Sequence, residues 1–155
     1  MLEIERKFLV CNVQACLDKA TASFAIFQGY LSTDPARTVR LRIQNDHAFL
    51  TIKGASSSDG TTRVEWEKAI SLDEAKTLLP LCLPGSIQKT RHHIPFNELI
   101  FEVDVFEAAL SGLVLAEIEL KSAAQKIELP DWIGKEVTAD QRYYNSYLAQ
   151  HGMPA

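Results

Sequence analysis

The stretch LEIERKF, residues 2–8, decides how the rest of the chain is read. Glu3, Glu5 and Lys7 alternate with Leu2, Ile4 and Phe8. Period two is the signature of a strand, so two carboxylates and an amine share one face. Two like charges at this spacing sit roughly 7 Å apart and repel. A strand that opens on such a pair needs a reason for it.

The pattern recurs along the chain. Arg40/Arg42 and Lys89/Arg91 are same-sign pairs at i, i+2, as are Glu65/Glu67, Glu102/Asp104 and Glu117/Glu119. Lys53 follows Thr51 on its polar face. The residues between them are mainly apolar: Val39, Leu41 and Ile43 in one segment, Phe101, Val103 and Val105 in another. Counting Lys7 and Lys53, the set holds eight acids and six bases. One reading is a solvated outer face over an ordinary apolar core. Solvated faces, however, mix signs and use Ser, Thr and Lys, because same-sign neighbours return nothing. The other reading turns the charged face inward to line a wet barrel. Clustered carboxylates then call for a hard cation, Mg²⁺ or Mn²⁺. Clustered Arg and Lys call for a polyanion, and phosphate fits the Arg fork. A substrate carrying several phosphates with bound metal answers both halves.

The remaining segments fit a strand-rich domain. Strand-like runs cover residues 24–32, 37–44, 48–54, 63–71, 85–96, 99–106 and 113–122. Short links, NDH and NE, join two pairs of them as hairpins. ASSSDGTT, residues 55–62, is the clearest loop, and its length and lack of apolar anchors suggest a mobile flap. Ser71 and Glu74 form a capping box that opens a short helix toward Leu79 and Pro80. A second box, Thr138 and Gln141, opens a closing helix that stops at Gly152. The expected fold is α+β: an eight-stranded antiparallel β-barrel with a few flanking helices, one domain over residues 1–155.

Composition narrows the function. A net charge of −4 gives no basic field for nucleic acid. No apolar run approaches the ~20 residues of a bilayer span, and Glu3 interrupts any signal-peptide core. Cys11, Cys16 and Cys82 are odd in number and form no CxxC, which points to a reducing cytoplasm. His47, His92, His93 and His151 show no metal-ligand spacing, and the adjacent His92 and His93 should face opposite sides of their strand. There is no GxxxxGK[ST] loop and no GxSxG elbow.

The E-x-E-x-K of Glu3, Glu5 and Lys7 resembles the signature of the CYTH superfamily, the triphosphate tunnel metalloenzymes. VRLRI (39–43), LTIKG (50–54), RVEWE (63–67), KTRH (89–92), FEVDVF (101–106) and LAEIEL (115–120) follow in the family's order. WIGKEVTADQRYYNS (132–146) is similar to the C-terminal segment of short bacterial members. The resemblance implies a triphosphate tunnel. It implies metal-binding acids at Glu3, Glu5, Glu117 and Glu119, and Glu65 and Glu67 as acids that assist the metal or orient the attacking water. Arg40, Arg42, Lys53, Lys89 and Arg91 match the phosphate clamp. Lys7 matches the signature lysine, which short members are thought to pair with a tyrosine of the second strand, here Tyr30. Glu102 and Asp104 are left open between ligand support and tunnel wall. Among the family's activities, hydrolysis of inorganic tripolyphosphate to pyrophosphate and phosphate asks only for charge, and the chain is short, without a long insertion to hold a nucleobase. It ranks ahead of thiamine or nucleoside triphosphatase, class IV adenylate cyclase and a noncatalytic polyphosphate-binding module. The implied partner is a small polyphosphate, with neither nucleic acid nor membrane and with room for a homodimer.

Overall fold

The computed structural model describes residues 1–154. In chain order its elements are β1 (Leu2–Val10), α1 (Val13–Leu17), β2 (Ala22–Ser32), β3 (Arg37–Gln44), β4 (His47–Gly54) and β5 (Thr62–Ile70). There follow α2 (Leu72–Leu78), β6 (Ser86–Phe96), β7 (Leu99–Phe106), β8 (Val114–Glu119), β9 (Ile133–Glu136) and α3 (Asn145–His151). The sheet runs β5-β4-β3-β2-β6-β7-β8-β1, and β1 pairs back onto β5 to close it. Every rung is antiparallel. This is the expected closed eight-stranded barrel with a few helices.

Local chemistry sets the tight corners. The β3–β4 link turns on Asn45 (φ 52°) and the β6–β7 link on Asn97 and Glu98 (φ 47° and 65°). These left-handed positions match strand twist across two-residue loops. Ser71 and Glu74 form the capping box at the start of α2, each side chain bonding the other's backbone N–H.

Closure rests on β1, which changes partner along its length. On one edge Leu2–Ile4 pair with β5, while Phe8 and Val10 pair with the short β9. On its other edge Glu5–Leu9 pair with β8. The ninth strand was not foreseen. It covers the part of β1 that β5 leaves exposed, which removes a free edge.

Apolar side chains pack in three places. Phe8, Ile94, Phe101, Val103, Ala116 and Ile118 form a core on the outer wall, covered by Cys16 of α1 and by Trp132. Leu41, Ala48 and Ala75 join the wall to α2. The third cluster holds Leu9, Ile87, Phe106, Leu115, Tyr30 and Leu148 of α3. Leu9 follows Lys7, Ile87 precedes Lys89, Phe106 follows Asp104 and Leu115 precedes Glu117, each by two residues. The inward rows thus pass from charged to apolar, and α3 seals the apolar end.

Several local expectations change. The closing helix starts at Asn145, not after Thr138. Asp140 caps a single 3₁₀ turn instead, accepting from the Arg142 N–H. Thr138 is drawn away, its hydroxyl oxygen accepting from Lys7 N–H at 3.0 Å. The 113–122 strand shortens to Val114–Glu119, and α1, capped by Asn12, went unread. Within the 55–62 loop, Asp59 accepts from Ser57 Oγ, Thr61 N and Thr61 Oγ1.

Candidate functional site

All thirteen side chains singled out in the sequence line one cavity of about 210 Å³ inside the barrel. Seven of the eight barrel strands contribute at least one, and Glu102 joins them from the eighth, β7. Two-residue periodicity does this: one face of each strand points inward, so the same-sign pairs become rows on the tunnel wall. His93 keeps the parity of Glu102 and lies 3.6 Å from its carboxylate.

The wall is divided by sign. β1 and β8 are neighbours and carry Glu3, Glu5, Glu117 and Glu119; Glu5 opposes Glu119 and Lys7 opposes Glu117 in the register. Across the barrel, β3 and β6 flank β2 and carry Arg40, Arg42, Lys89 and Arg91. In an eight-membered ring this sets the acids of β1 opposite the bases beside β2.

The acids approach one another in twos. Burial, with the charges of Glu117 and Glu3, holds the Glu5 carboxyl well above its ordinary range. Glu117 bonds to it; burial opposes ionisation there, but Lys7 and Arg91 pull Glu117 well below the carboxylate range. The two carboxyls of this pair are thus pushed in opposite directions. Glu3 and Glu65 form a second pair. Burial and the Glu3 neighbour push Glu65 up to about 7, whereas Lys53 outweighs burial and holds Glu3 low. Lys53 Nζ lies 2.9 Å from Glu3 Oε1 and 3.3 Å from Glu65 Oε2. Burial, Glu102 and Glu3 also raise Glu119.

Among the described residues no three carboxylate, imidazole or thiol groups converge into a ready-made metal centre. Paired carboxylates still fit Mg²⁺ or Mn²⁺, which takes one or two protein oxygens and fills its other positions with water and phosphate. Burial and the neighbouring carboxylates hold Glu5 above its ordinary range, and a cation between Glu5 and Glu117 would relieve that crowding.

The basic wall holds two unlike pairs. Arg42 donates through Nε and Nη2 to Gln28 Oε1, at 3.1 and 2.8 Å, a neutral acceptor. Burial and the charges of Arg40 and Arg91 lower Arg42 to about 9. Arg40 donates to Thr51 Oγ1 at 3.2 Å and lies 3.5 Å from Glu67, while its buried Nε has no partner among the described residues. Lys89 and Arg91, by contrast, are bonded to the fully buried Asp104.

Lys7 and Tyr30 both line the cavity, but no hydrogen bond joins them among the described residues. Lys7 Nζ donates to the Tyr143 carbonyl at 3.0 Å and lies 5.4 Å from the Tyr144 ring centroid. The Tyr30 hydroxyl accepts from Gln28 Nε2 at 3.2 Å.

Four lining groups escaped the sequence reading: Thr38, Arg63, Asn145 and Ser146. Arg63 shares the parity of Glu65 and Glu67, so its signal was present. Asn145 gave none. It reaches the tunnel from α3 and accepts from Lys89 Nζ and Gln28 Nε2, at 2.7 and 3.2 Å. Beyond Thr38, Arg63 and Ser146 a second chamber of about 540 Å³ opens between the 55–60 loop and α3.

A family model described as CYTH domain matches residues 1–148. The chain belongs to the CYTH domain family. Two CYTH-length relatives are each named inorganic triphosphatase. The one from Acetivibrio thermocellus is 41% identical over 151 residues, covering 96% of this chain and 94% of its own. The one from Nitrosomonas europaea is 40% identical over 155 residues, covering 96% and 97%. A crystal structure of an inorganic triphosphatase superposes with a TM-score of 0.69 at 36% identity, over 98% of this chain and 97% of that one.

Proposed function

We propose that this CYTH protein is a divalent-metal-dependent triphosphatase that hydrolyses inorganic tripolyphosphate to pyrophosphate and phosphate inside the tunnel. One observation carries the reading: Arg40 and Arg42 face the cavity without a full carboxylate counter-charge. Among the described residues Arg42 bonds only a neutral amide, and the buried Nε of Arg40 bonds nothing. Buried guanidinium donors left open in this way suit phosphate oxygens. The names and identities of the relatives support the same assignment.

Glu3, Glu5, Glu117 and Glu119 would hold Mg²⁺ or Mn²⁺. When bound, the cation neutralises phosphate oxygens and polarises water. Arg40, Arg42, Lys89 and Arg91 bind and straighten the phosphate chain through their fixed donors. Glu65, raised to about 7, is poised between its two protonation states near neutrality and can accept a proton from water as Glu67 orients it. Lys7, beside Glu117, adds positive charge at the acid wall. Tyr30 is held by Gln28 at the boundary with the apolar plug, where it limits how far the chain advances.

The substrate is a small polyphosphate, and the reading includes neither nucleic acid nor membrane partner. No helix among the described residues is long and apolar enough to cross a membrane. The unpaired Cys11, Cys16 and Cys82 suit a reducing cytoplasm. The reading treats residues 1–155 as one domain, with room for a homodimer.

The test is phosphate release from tripolyphosphate, ATP and thiamine triphosphate, run side by side with Mg²⁺, Mn²⁺ and EDTA. Tripolyphosphate should give the highest kcat/KM, with no turnover in EDTA and no cyclic AMP from ATP. Cyclic AMP formed at a rate comparable to phosphate release would make the protein a cyclase. Tight binding without turnover would leave a polyphosphate-binding module.

A further inference from the structure

Asp104 stands apart from the other inward acids. It is fully buried, and unlike Glu102 it does not border the cavity. Its two oxygens accept three charge-assisted bonds: Lys89 Nζ at 2.7 Å, Arg91 Nε at 2.8 Å and Arg91 Nη2 at 2.9 Å. Glu102, at the cavity, takes Arg91 Nη1 at 3.1 Å. A carboxylate so surrounded has little lone-pair capacity left for a metal.

The donor count on the cations is different. Arg91 has five N–H donors, and three are engaged. Lys89 has three, and two are engaged, by Asp104 and Asn145. Both therefore keep donors for a ligand. Each is nevertheless fixed from behind by the same buried anion, with side chains 1% and 9% exposed. Holding a clamp in its bound geometry before the ligand arrives removes ordering cost from binding.

We propose that Asp104 is the positioning residue of the tunnel's basic wall, bracing Lys89 and Arg91 from behind so that their remaining donors meet the phosphates. The inference rests on the triphosphatase reading above. Asp104 touches neither substrate nor reacting atoms. Its influence passes through the two cations. Burial already lowers Lys89 to about 7 with Asp104 in place, so the carboxylate also favours the charged ammonium.

A brace on binding groups acts on substrate and transition state alike, and therefore moves KM rather than kcat. A purely architectural Asp104 would instead lower the folded, active fraction, and with it apparent kcat, leaving KM in place. Asp104→Asn keeps the shape and removes the charge. The experiment measures its melting temperature, its KM and kcat for tripolyphosphate, and its metal-free Kd for tripolyphosphate by calorimetry. The expected result is KM and Kd raised at least tenfold with kcat within threefold of wild type. Unchanged KM and Kd, or a loss confined to kcat, would overturn the proposal. If Asp104→Asn does not fold, Lys89→Met/Asp104→Asn, which removes the buried pair as a unit, is compared with Lys89→Met. Its KM should rise at least threefold through the freed Arg91; no rise would overturn the proposal equally. Wild-type protein that binds tripolyphosphate without hydrolysing it would sink the activity reading alone, since the calorimetric comparison still tests Asp104.

Discussion

Two cation pairs face one another's substrate space and are treated in opposite ways by the fold. On β6, Lys89 and Arg91 are bonded to a buried carboxylate. On β3, Arg42 has only the Gln28 amide, and Arg40 has Thr51 and a rim contact with Glu67. The first pair is complete in the free protein. The second is not, and its charge is carried at the expense of stability: burial and like charges draw Arg42 down to about 9. The difference separates clamp cations that are braced by a buried carboxylate before a ligand arrives from clamp cations whose counter-charge is left for the ligand to supply.

The largest effect that could break this comparison is on stability. Arg91→Met would leave Asp104 with Lys89 alone and Glu102 without its guanidinium. Breaking a buried pair from one side typically loses about 3 to 5 kcal/mol, or roughly 10 °C in Tm for a chain of this size. Calorimetric melting checks it, and an unchanged Tm would show that the β6 pair is not structural.

Next is binding. Arg40→Met/Arg42→Met should lower kcat/KM for tripolyphosphate by roughly 100-fold or more, since each charge-assisted bond to phosphate is worth about 1.5–3 kcal/mol. Steady-state kinetics on the folded variant decides this. A loss under threefold would move the clamp elsewhere.

The acid wall yields a pH prediction. Glu65 has a folded pKa raised from about 4.5 to about 7. Its contribution to stability is therefore full below about pH 4.5 and is lost as pH rises to about 7. Metal-free Tm should fall through that window, and Glu65→Gln should flatten the fall. A steeper fall in the variant would contradict the assignment.

The smallest effect sharpens the comparison at its neutral partner. Gln28→Leu frees Arg42 but removes no charge, so KM should rise only about fivefold, the worth of a neutral-acceptor bond. A loss as large as that of the double arginine variant would make Gln28 part of the clamp itself.

Much of this was legible in the sequence. Glu3, Glu5, Arg40, Arg42, Lys89, Arg91, Glu117 and Glu119 were readable because strands report direction through parity, and a same-sign pair is improbable on a solvated face. Barrel closure followed from eight strand-like runs, six of them carrying such a pair. What stayed hidden depends on the third dimension. Asn145 enters the tunnel from a helix that packs from outside, so no period links it to Lys89. Asp104 has the same parity as Glu102, yet one borders the cavity and the other lies behind its neighbours. Parity gives the face, not the depth. The Thr138 box failed because Thr138 bonds Lys7, more than a hundred residues away. Strand β9, four residues long, is specified by the edge it covers rather than by its own pattern.

The central claim, that Arg42 is an uncompensated charge kept for phosphate, is tested most directly by melting Arg42→Met with and without tripolyphosphate. The account predicts a ligand-free Tm equal to or above that of wild type. It also predicts a ligand-induced rise far smaller than wild type shows at the same concentration. A ligand-free Tm several degrees lower, or a rise as large as that of wild type, would contradict it.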